Sequence, residues 1–147
     1  MPEIYHCAVV PVSLRPSPLS QENACFGVIV KCDATGFLDY KLAQYDEKVI
    51  SRITTFFPDY GRENLMRVME WAAHDIGFTI QKEREKNVGA FGNLIRPREN
   101  VIRYGNPFVV ATSDPAHELC RQYDSLVAVP DTVCKDVTDG AETGTRP

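Results

Sequence analysis

The first part of the chain repeats apolar side chains with the two-residue period of a β-strand. Ala, Phe, Val and Cys side chains occupy every second position of Ala24–Cys32, and the same period returns in Phe37–Leu42. Between these runs, 33–36 has the composition of a turn. An earlier run, 4–12, is rich in β-branched and aromatic residues, and Pro11 favours an edge or terminal position. The patterns predict a first strand followed by an antiparallel hairpin.

In the next part of the chain the apolar spacing changes to three and four residues, which is typical of an α-helix. One helix is predicted from Asp46, whose carboxylate can cap it, to about Phe57. A longer helix is predicted over 63–82. Gly77 lies within the longer pattern and indicates an end or a bend there, because glycine weakens a helix.

The last patterned segments predict two short strands and a final helix. β-Branched and aromatic residues recur at 101–104 and 107–111, with a Gly-Asn turn between them. Asp114 followed by Pro115 has the composition of a helix start, since Asp caps the first turn and Pro is favoured at the first helical position.

Length and composition are typical of one folded unit. The chain has 147 residues, of which 44% are hydrophobic and 24% charged, and no apolar run reaches the roughly 18 residues that cross a bilayer. We therefore expect one α+β domain over 1–130, with an antiparallel sheet packed against about three helices, and a flexible tail over 131–147. The first residues lack the features of a secretory signal, so a cytoplasmic location without membrane contact is expected.

Two groups of titratable residues could support catalysis, but each has a simpler interpretation. His74 and its acidic neighbours Glu70 and Asp75 lie off the apolar stripe of the long helix, where solvated charges are common. Cys120 follows His117 by one helical turn, but no signature of a cysteine hydrolase surrounds it. The five cysteines are scattered and include no C-x-x-C pair, which argues against a disulfide framework or a zinc site. We expect no catalytic residue, no metal and no cofactor.

The clearest asymmetry of charge lies in 82–103, within a chain whose net charge is −4. Six basic residues and three acidic residues occur there. Such a segment can receive a phosphate, an RNA or an acidic protein surface, although a charge-mixed loop is more often only solvated. The candidate binding residues in this segment and at its end are Lys82, Arg84, Phe91, Arg96, Arg98, Arg103 and Tyr104.

A series of short motifs occurs in an order that resembles one family. The motifs are Glu-Asn-Ala-Cys-Phe-Gly-Val-Ile-Val at 22–30, Gly-Phe-Leu at 36–38, Phe-Pro-Asp at 57–59, Ile-Arg at 102–103 and Asp-Pro at 114–115. Over about 4–128 the chain resembles the bacterial domain family of unknown function numbered three thousand and thirty-seven. Glu22 and Gly27 match its strand-entry pattern, whereas Cys25 stands where an Asn is usual.

What this resemblance implies is a binding role. The family has no established activity, and some members are encoded beside HipA-like kinases, which implies a partner or regulator. The leading hypothesis is a non-enzymatic protein-interaction or regulatory module that binds a partner protein through 96–103 and the exposed sheet edge. A second is a nucleic-acid or nucleotide binder that uses 82–103. A third is a mobile-element inhibitor of a nucleic-acid-handling complex, which presents carboxylates where phosphates would dock.

Overall fold

A computed structural model describes residues 3–17, 22–85, 89–96 and 101–128. Within them, the predicted α+β class is confirmed, because five antiparallel strands form one sheet that packs with four helices. The predicted tail over 131–147 lies outside the described residues. The elements in chain order are β1 (Tyr5–Leu14), β2 (Ala24–Cys32), β3 (Phe37–Leu42), α1 (Glu47–Phe56), α2 (Arg62–Arg84), α3 (Ala90–Leu94), β4 (Ile102–Tyr104), β5 (Phe108–Thr112) and α4 (Pro115–Leu126).

β1 is the central strand of the sheet. One of its edges pairs with β2, which pairs in turn with β3 as the predicted antiparallel hairpin. Its other edge pairs with two strands in succession, β5 along residues 5–9 and β4 along residues 12–14. The sheet therefore ends with β3 on one side and with β4 and β5 together on the other.

Pro11 lies inside β1 and not at its end, so the prediction of an edge or terminal position is wrong. The reason is that the neighbouring strand is interrupted here, since β5 pairs as far as Val9 and β4 begins opposite Val12. The Pro11 carbonyl accepts a hydrogen bond from the Gly105 N–H at 2.8 Å, so the Pro11 nitrogen also faces this gap. A residue without an N–H donor is tolerated there.

α4 covers one face of the sheet. Val28 of β2 is fully buried on this face and is paired with Lys41 of β3. The Lys41 ammonium lies 4.4 Å from the ring centroid of Tyr123 in α4. Long-range packing between α4 and β2 thus buries the alternating stripe that the sequence of β2 predicted.

α2 and α3 cover the opposite face. Ile29 is fully buried there, and Lys31, two positions further along β2, shares its face. The Lys31 ammonium lies 5.8 Å from the ring centroid of Phe91 in α3, and α3 packs against α2. Because both faces are covered, both alternating sets of β2 contribute to one core.

α2 continues through Gly77 without interruption, so the predicted end at this residue is wrong. Ile76, Thr79 and Ile80 around the glycine are buried. Their packing outweighs the roughly 1 kcal/mol that glycine costs relative to alanine in a helix. No helix in the described part of the chain combines the length and apolar character required to span a bilayer.

Asp46 connects α1 to α4. Its Oδ1 accepts a hydrogen bond from the Val49 N–H at 3.4 Å, which is the cap that the sequence predicted. Its Oδ2 accepts a hydrogen bond from the Tyr123 hydroxyl at 2.9 Å. Burial and the neighbouring Asp46 carboxylate raise the pKa of Tyr123 well above its usual value, so the hydroxyl stays protonated and remains a donor.

Asp46→Ala is expected to lower the free energy of unfolding by about 2–4 kcal/mol, because it removes a helix cap and leaves the Tyr123 hydroxyl without its acceptor. Tyr123→Phe removes only the second contact and should cost about 1 kcal/mol. Urea denaturation followed by circular dichroism measures both losses. The control is Asp59→Ala at an exposed aspartate, and equal stability of the two alanine variants would contradict the expectation.

Candidate functional site

A polar cleft of about 240 Å³ opens where β1 ends and β2 begins. We call it the arginine cleft. Its charged residues come from three elements that are distant in sequence: Asp75 lies in α2, Arg96 follows α3, and Arg103 lies in β4. Tyr104 of β4 lines it as well. The cleft therefore exists only in the folded chain.

The short strand β4 is held in place by its backbone. Arg103 is paired with Ser13 and Tyr104 with Val12 on β1. The Arg15 N–H donates to the Val101 carbonyl at 2.8 Å, immediately before β4 begins. Side chains alternate along a strand, so burial of Ile102 leaves the neighbouring Arg103 exposed toward solvent.

Arg96 is positioned by α3. The Glu83 Oε2 accepts a hydrogen bond from the Phe91 N–H at 2.9 Å, which fixes the first turn of α3 against α2. Arg96 follows the last turn, where its Nη2 donates to the Oδ1 of Asn93 at 3.2 Å. This acceptor is a neutral amide, so the contact orients the guanidinium without neutralising its charge.

The arginine cleft carries more positive than negative charge. The Arg103 side chain forms no hydrogen bond or salt bridge with any other described residue. Asp75 is the only acidic residue among the described lining residues, and its Oδ1 lies 3.7 Å from the Nδ1 of His74. Two guanidinium groups that pair with no carboxylate of the described residues form a suitable site for an anionic group, because each can donate two parallel hydrogen bonds to it.

Two exposed aromatic side chains flank Asp75 on the outer face of α2. Trp71 is 54% exposed and Phe78 is 56% exposed. They lie four residues before and three residues after Asp75, so all three share one side of the helix. We call Trp71 and Phe78 the aromatic stripe. Its neighbour Lys82 places its ammonium 5.2 Å from the Phe78 ring centroid. Large exposed aromatics of this kind are enriched at protein interfaces.

Of the seven predicted binding residues, Arg96, Arg103 and Tyr104 come together in the arginine cleft. The others lie elsewhere. Lys82 is beside the aromatic stripe and pairs with Glu85, the Nζ lying 3.9 Å from the Oε1. Arg84 lines a separate cavity of about 190 Å³. Phe91 contacts Lys31, as described above, and Arg98 lies outside the described residues.

Sequence reasoning missed the aromatic stripe, and it weighed Asp75 only as an acid–base partner of His74. A usable signal existed: the buried positions of α2 include Leu65, Met69, Ala72 and Ile76. Trp71 and Phe78 fall outside that set. Large aromatics that are off the apolar face of a long helix indicate a contact surface.

The structure places both groups of residues that the sequence analysis weighed for catalysis. The His74 and Asp75 side chains are 82% and 58% exposed, so solvent screens their contact. Cys120 is disulfide-bonded, and its sulfur is therefore not a thiolate nucleophile beside His117. The sequence does not predict this bond, because the spacing of scattered cysteines does not identify their pairing.

Comparison with known proteins gives one result. Residues 10–127 match the model of a family that is described as a protein of unknown function, DUF3037. No curated protein matches the chain, and no solved structure matches it. The match begins within β1 and includes β2 to β5, the four helices of the described residues and the described lining residues of the arginine cleft.

Proposed function

The chain belongs to the DUF3037 family, whose function is unknown, and from this premise we propose that it is a non-enzymatic module that binds a partner protein through the arginine cleft and the aromatic stripe. The observation that carries the proposal is their adjacency. Asp75 lines the cleft and also lies between Trp71 and Phe78 on one side of α2. Cationic and aromatic groups thus form one continuous surface.

The chemistry of this surface favours a protein over a free small molecule. At about 240 Å³ the cleft is below the roughly 300–1,000 Å³ of typical ligand pockets, but it can hold one side chain. Arg, Trp and Tyr are also the residues that dominate binding energy at protein interfaces. We therefore expect a partner segment with an acidic side chain that pairs with Arg96 and Arg103, next to apolar residues that cover Trp71.

The sheet edge beside the cleft extends this surface. β5 pairs with β1 on one side, and among the described strands no other pairs with it. Its residues Phe108 and Val109 are 38% and 67% exposed. An uncharged edge strand offers backbone donors and acceptors to an extended segment. This edge supports the hypothesis that the partner also binds the exposed edge of the sheet, because β4 with its cleft residues lies on the same edge.

The nucleic-acid hypothesis has less support from the geometry. Arg96, Arg103 and Tyr104 are suited to a phosphate and a stacked base. However, Arg84 lines a different cavity, and Phe91 packs beside Lys31 within the fold. The described basic residues of this segment are therefore divided between separate places, whereas phosphate binding along a strand requires a continuous row of cations.

Site-specific crosslinking in cells that express the protein tests the proposal. A photoreactive benzoylphenylalanine at position 71 or 78 is expected to yield a discrete, protease-sensitive and nuclease-resistant adduct. The matched control carries the same group in place of Tyr45, which is 91% exposed, lies between β3 and α1 and is not among the described lining residues of the cleft. It should not yield that adduct.

Two results would reject the protein-binding proposal. One is the same set of adducts from positions 45, 71 and 78, which would indicate random collision. The other is an adduct that nuclease treatment removes, which would support the nucleic-acid hypothesis instead.

A further inference from the structure

A second and larger groove, of about 800 Å³, lies between the start of β2, α1 and the end of α4. We infer that it binds a small organic carboxylate with an apolar body, held by Arg52 at its charged end. Its volume is within the range of small-molecule sites. Among the described lining residues, it shares only Asn23 with the arginine cleft. It is therefore a site distinct from the proposed partner surface.

Several of the lining residues carry hydrogen-bonding groups that are available to a ligand. Arg52 forms no salt bridge or hydrogen bond with any described residue. The side chains of Asn23, Ser51 and Thr55 also line the groove and are likewise not hydrogen-bonded to described residues. One guanidinium with neighbouring amide and hydroxyl groups matches a carboxylate, which accepts several hydrogen bonds at once.

Other lining residues are apolar. Phe56, 53% exposed, lines the groove together with Ile53 and Leu126. The Phe56 ring is held edge-to-face against Phe57, with 4.7 Å between ring centroids. A ring that is already fixed loses little conformational freedom when a ligand covers it. The apolar part of a ligand would gain affinity here by displacing water.

Cys25 leaves the charge of Arg52 available. Its Sγ donates to the Gly27 carbonyl at 3.3 Å. Burial raises the pKa of this thiol above its ordinary value, although the Arg52 guanidinium acts in the opposite direction. The thiol therefore stays neutral at physiological pH and does not neutralise Arg52. A protonated thiol of this kind serves as an apolar lining group.

The geometry distinguishes a carboxylate with an apolar body from other ligands. An inorganic anion would contact Arg52 but leave Phe56 and Leu126 uncovered, and an alcohol with the same chain would cover them without a charge for Arg52. Affinity should require both halves of the ligand. Octanoate meets both conditions and serves as the probe, with octanol and inorganic phosphate as its two incomplete counterparts.

Titration of the isotope-labelled full chain with octanoate, followed by amide chemical shifts, tests the inference. Saturable shifts are expected at Asn23, Cys25, Arg52 and Leu126, with weaker binding of octanol and of phosphate. Arg52→Met should weaken octanoate binding about tenfold or more, since a hydrogen bond to a charged group contributes about 1.5–3 kcal/mol. Arg67→Met, at an exposed arginine of α2, should leave it unchanged.

Three outcomes would overturn the inference: no saturable shift up to millimolar octanoate, equal affinity for octanol, or equal affinity of the Arg52→Met and wild-type chains. An unchanged dispersion of amide signals verifies that each variant is folded. Partner crosslinking through the aromatic stripe is expected to be unaffected by Arg52→Met, so failure at one site is distinguishable from failure at the other.

Discussion

Reversal of both cleft charges, Arg96→Glu with Arg103→Glu, is expected to weaken partner binding by about a hundredfold or more. Each hydrogen bond between a charged pair contributes about 1.5–3 kcal/mol, and every 1.4 kcal/mol changes affinity about tenfold. The two new carboxylates would also repel the acidic side chain that the cleft is proposed to receive. Calorimetric titration with the partner identified by crosslinking measures the loss.

The matched control keeps the same change in net charge but places it outside the cleft. Arg52→Glu with Arg84→Glu alters two exposed arginines that line other cavities. This control should change affinity by less than tenfold, because charges outside the contact surface act mainly on the association rate and are screened by salt. If both double variants weakened binding equally, general electrostatic attraction would explain the result and the cleft would lose its assigned role.

The elements that the sequence predicted well are those whose signals are local. The alternation in Ala24–Cys32 and the three-to-four spacing of α1 arise from the side chains of each segment alone, so they could be read without knowing the neighbours. The cap at Asp46 is local in the same way. α3 was not predicted, because a five-residue helix is too short to show a period.

Features that depend on distant segments could not be predicted. The place of Pro11 in the middle of β1 depends on the interruption between β4 and β5, about a hundred residues later in the chain. α2 also combines a local feature that the sequence predicts with a feature that depends on distant segments. Its buried face was predicted from spacing, but the role of Asp75 required knowing that α3 and β4 bring Arg96 and Arg103 beside it.

The candidate site was predictable to the extent that its residues are close in sequence. Arg96 and Arg103 lie within one basic segment, so a charge count identified them, and Tyr104 directly follows that segment. That count also included Arg84, because sequence distance does not show which charges face the same cavity. The large groove combines α1, β2 and the end of α4. Of its described lining residues, only Cys25 was distinguished in the sequence, because it departs from the family pattern.

Gly27→Ala is expected to lower the free energy of unfolding by about 2–3 kcal/mol, because overpacking of a fitted core has a cost of this size. Gly27 is paired with Leu42 across β2 and β3. A Cβ at position 27 would overlap the Leu42 Cδ2 and lie 3.1 Å from the Lys41 carbonyl oxygen. The side chain can move aside, but the backbone oxygen is fixed by the sheet.

A double-mutant cycle separates these two contacts. Leu42→Ala removes the side-chain overlap, so Gly27→Ala should cost less in that background, and the remaining loss reports the backbone contact. Gly77→Ala is the matched control: a Cβ there meets nothing within 4 Å, and it should stabilise α2 by about 1 kcal/mol. Urea denaturation measures the free energy of unfolding of the wild type, the two single variants, the double variant and the Gly77→Ala control. If Gly27→Ala and Gly77→Ala shifted stability in the same direction, close approach of β3 would not be the reason for glycine at position 27.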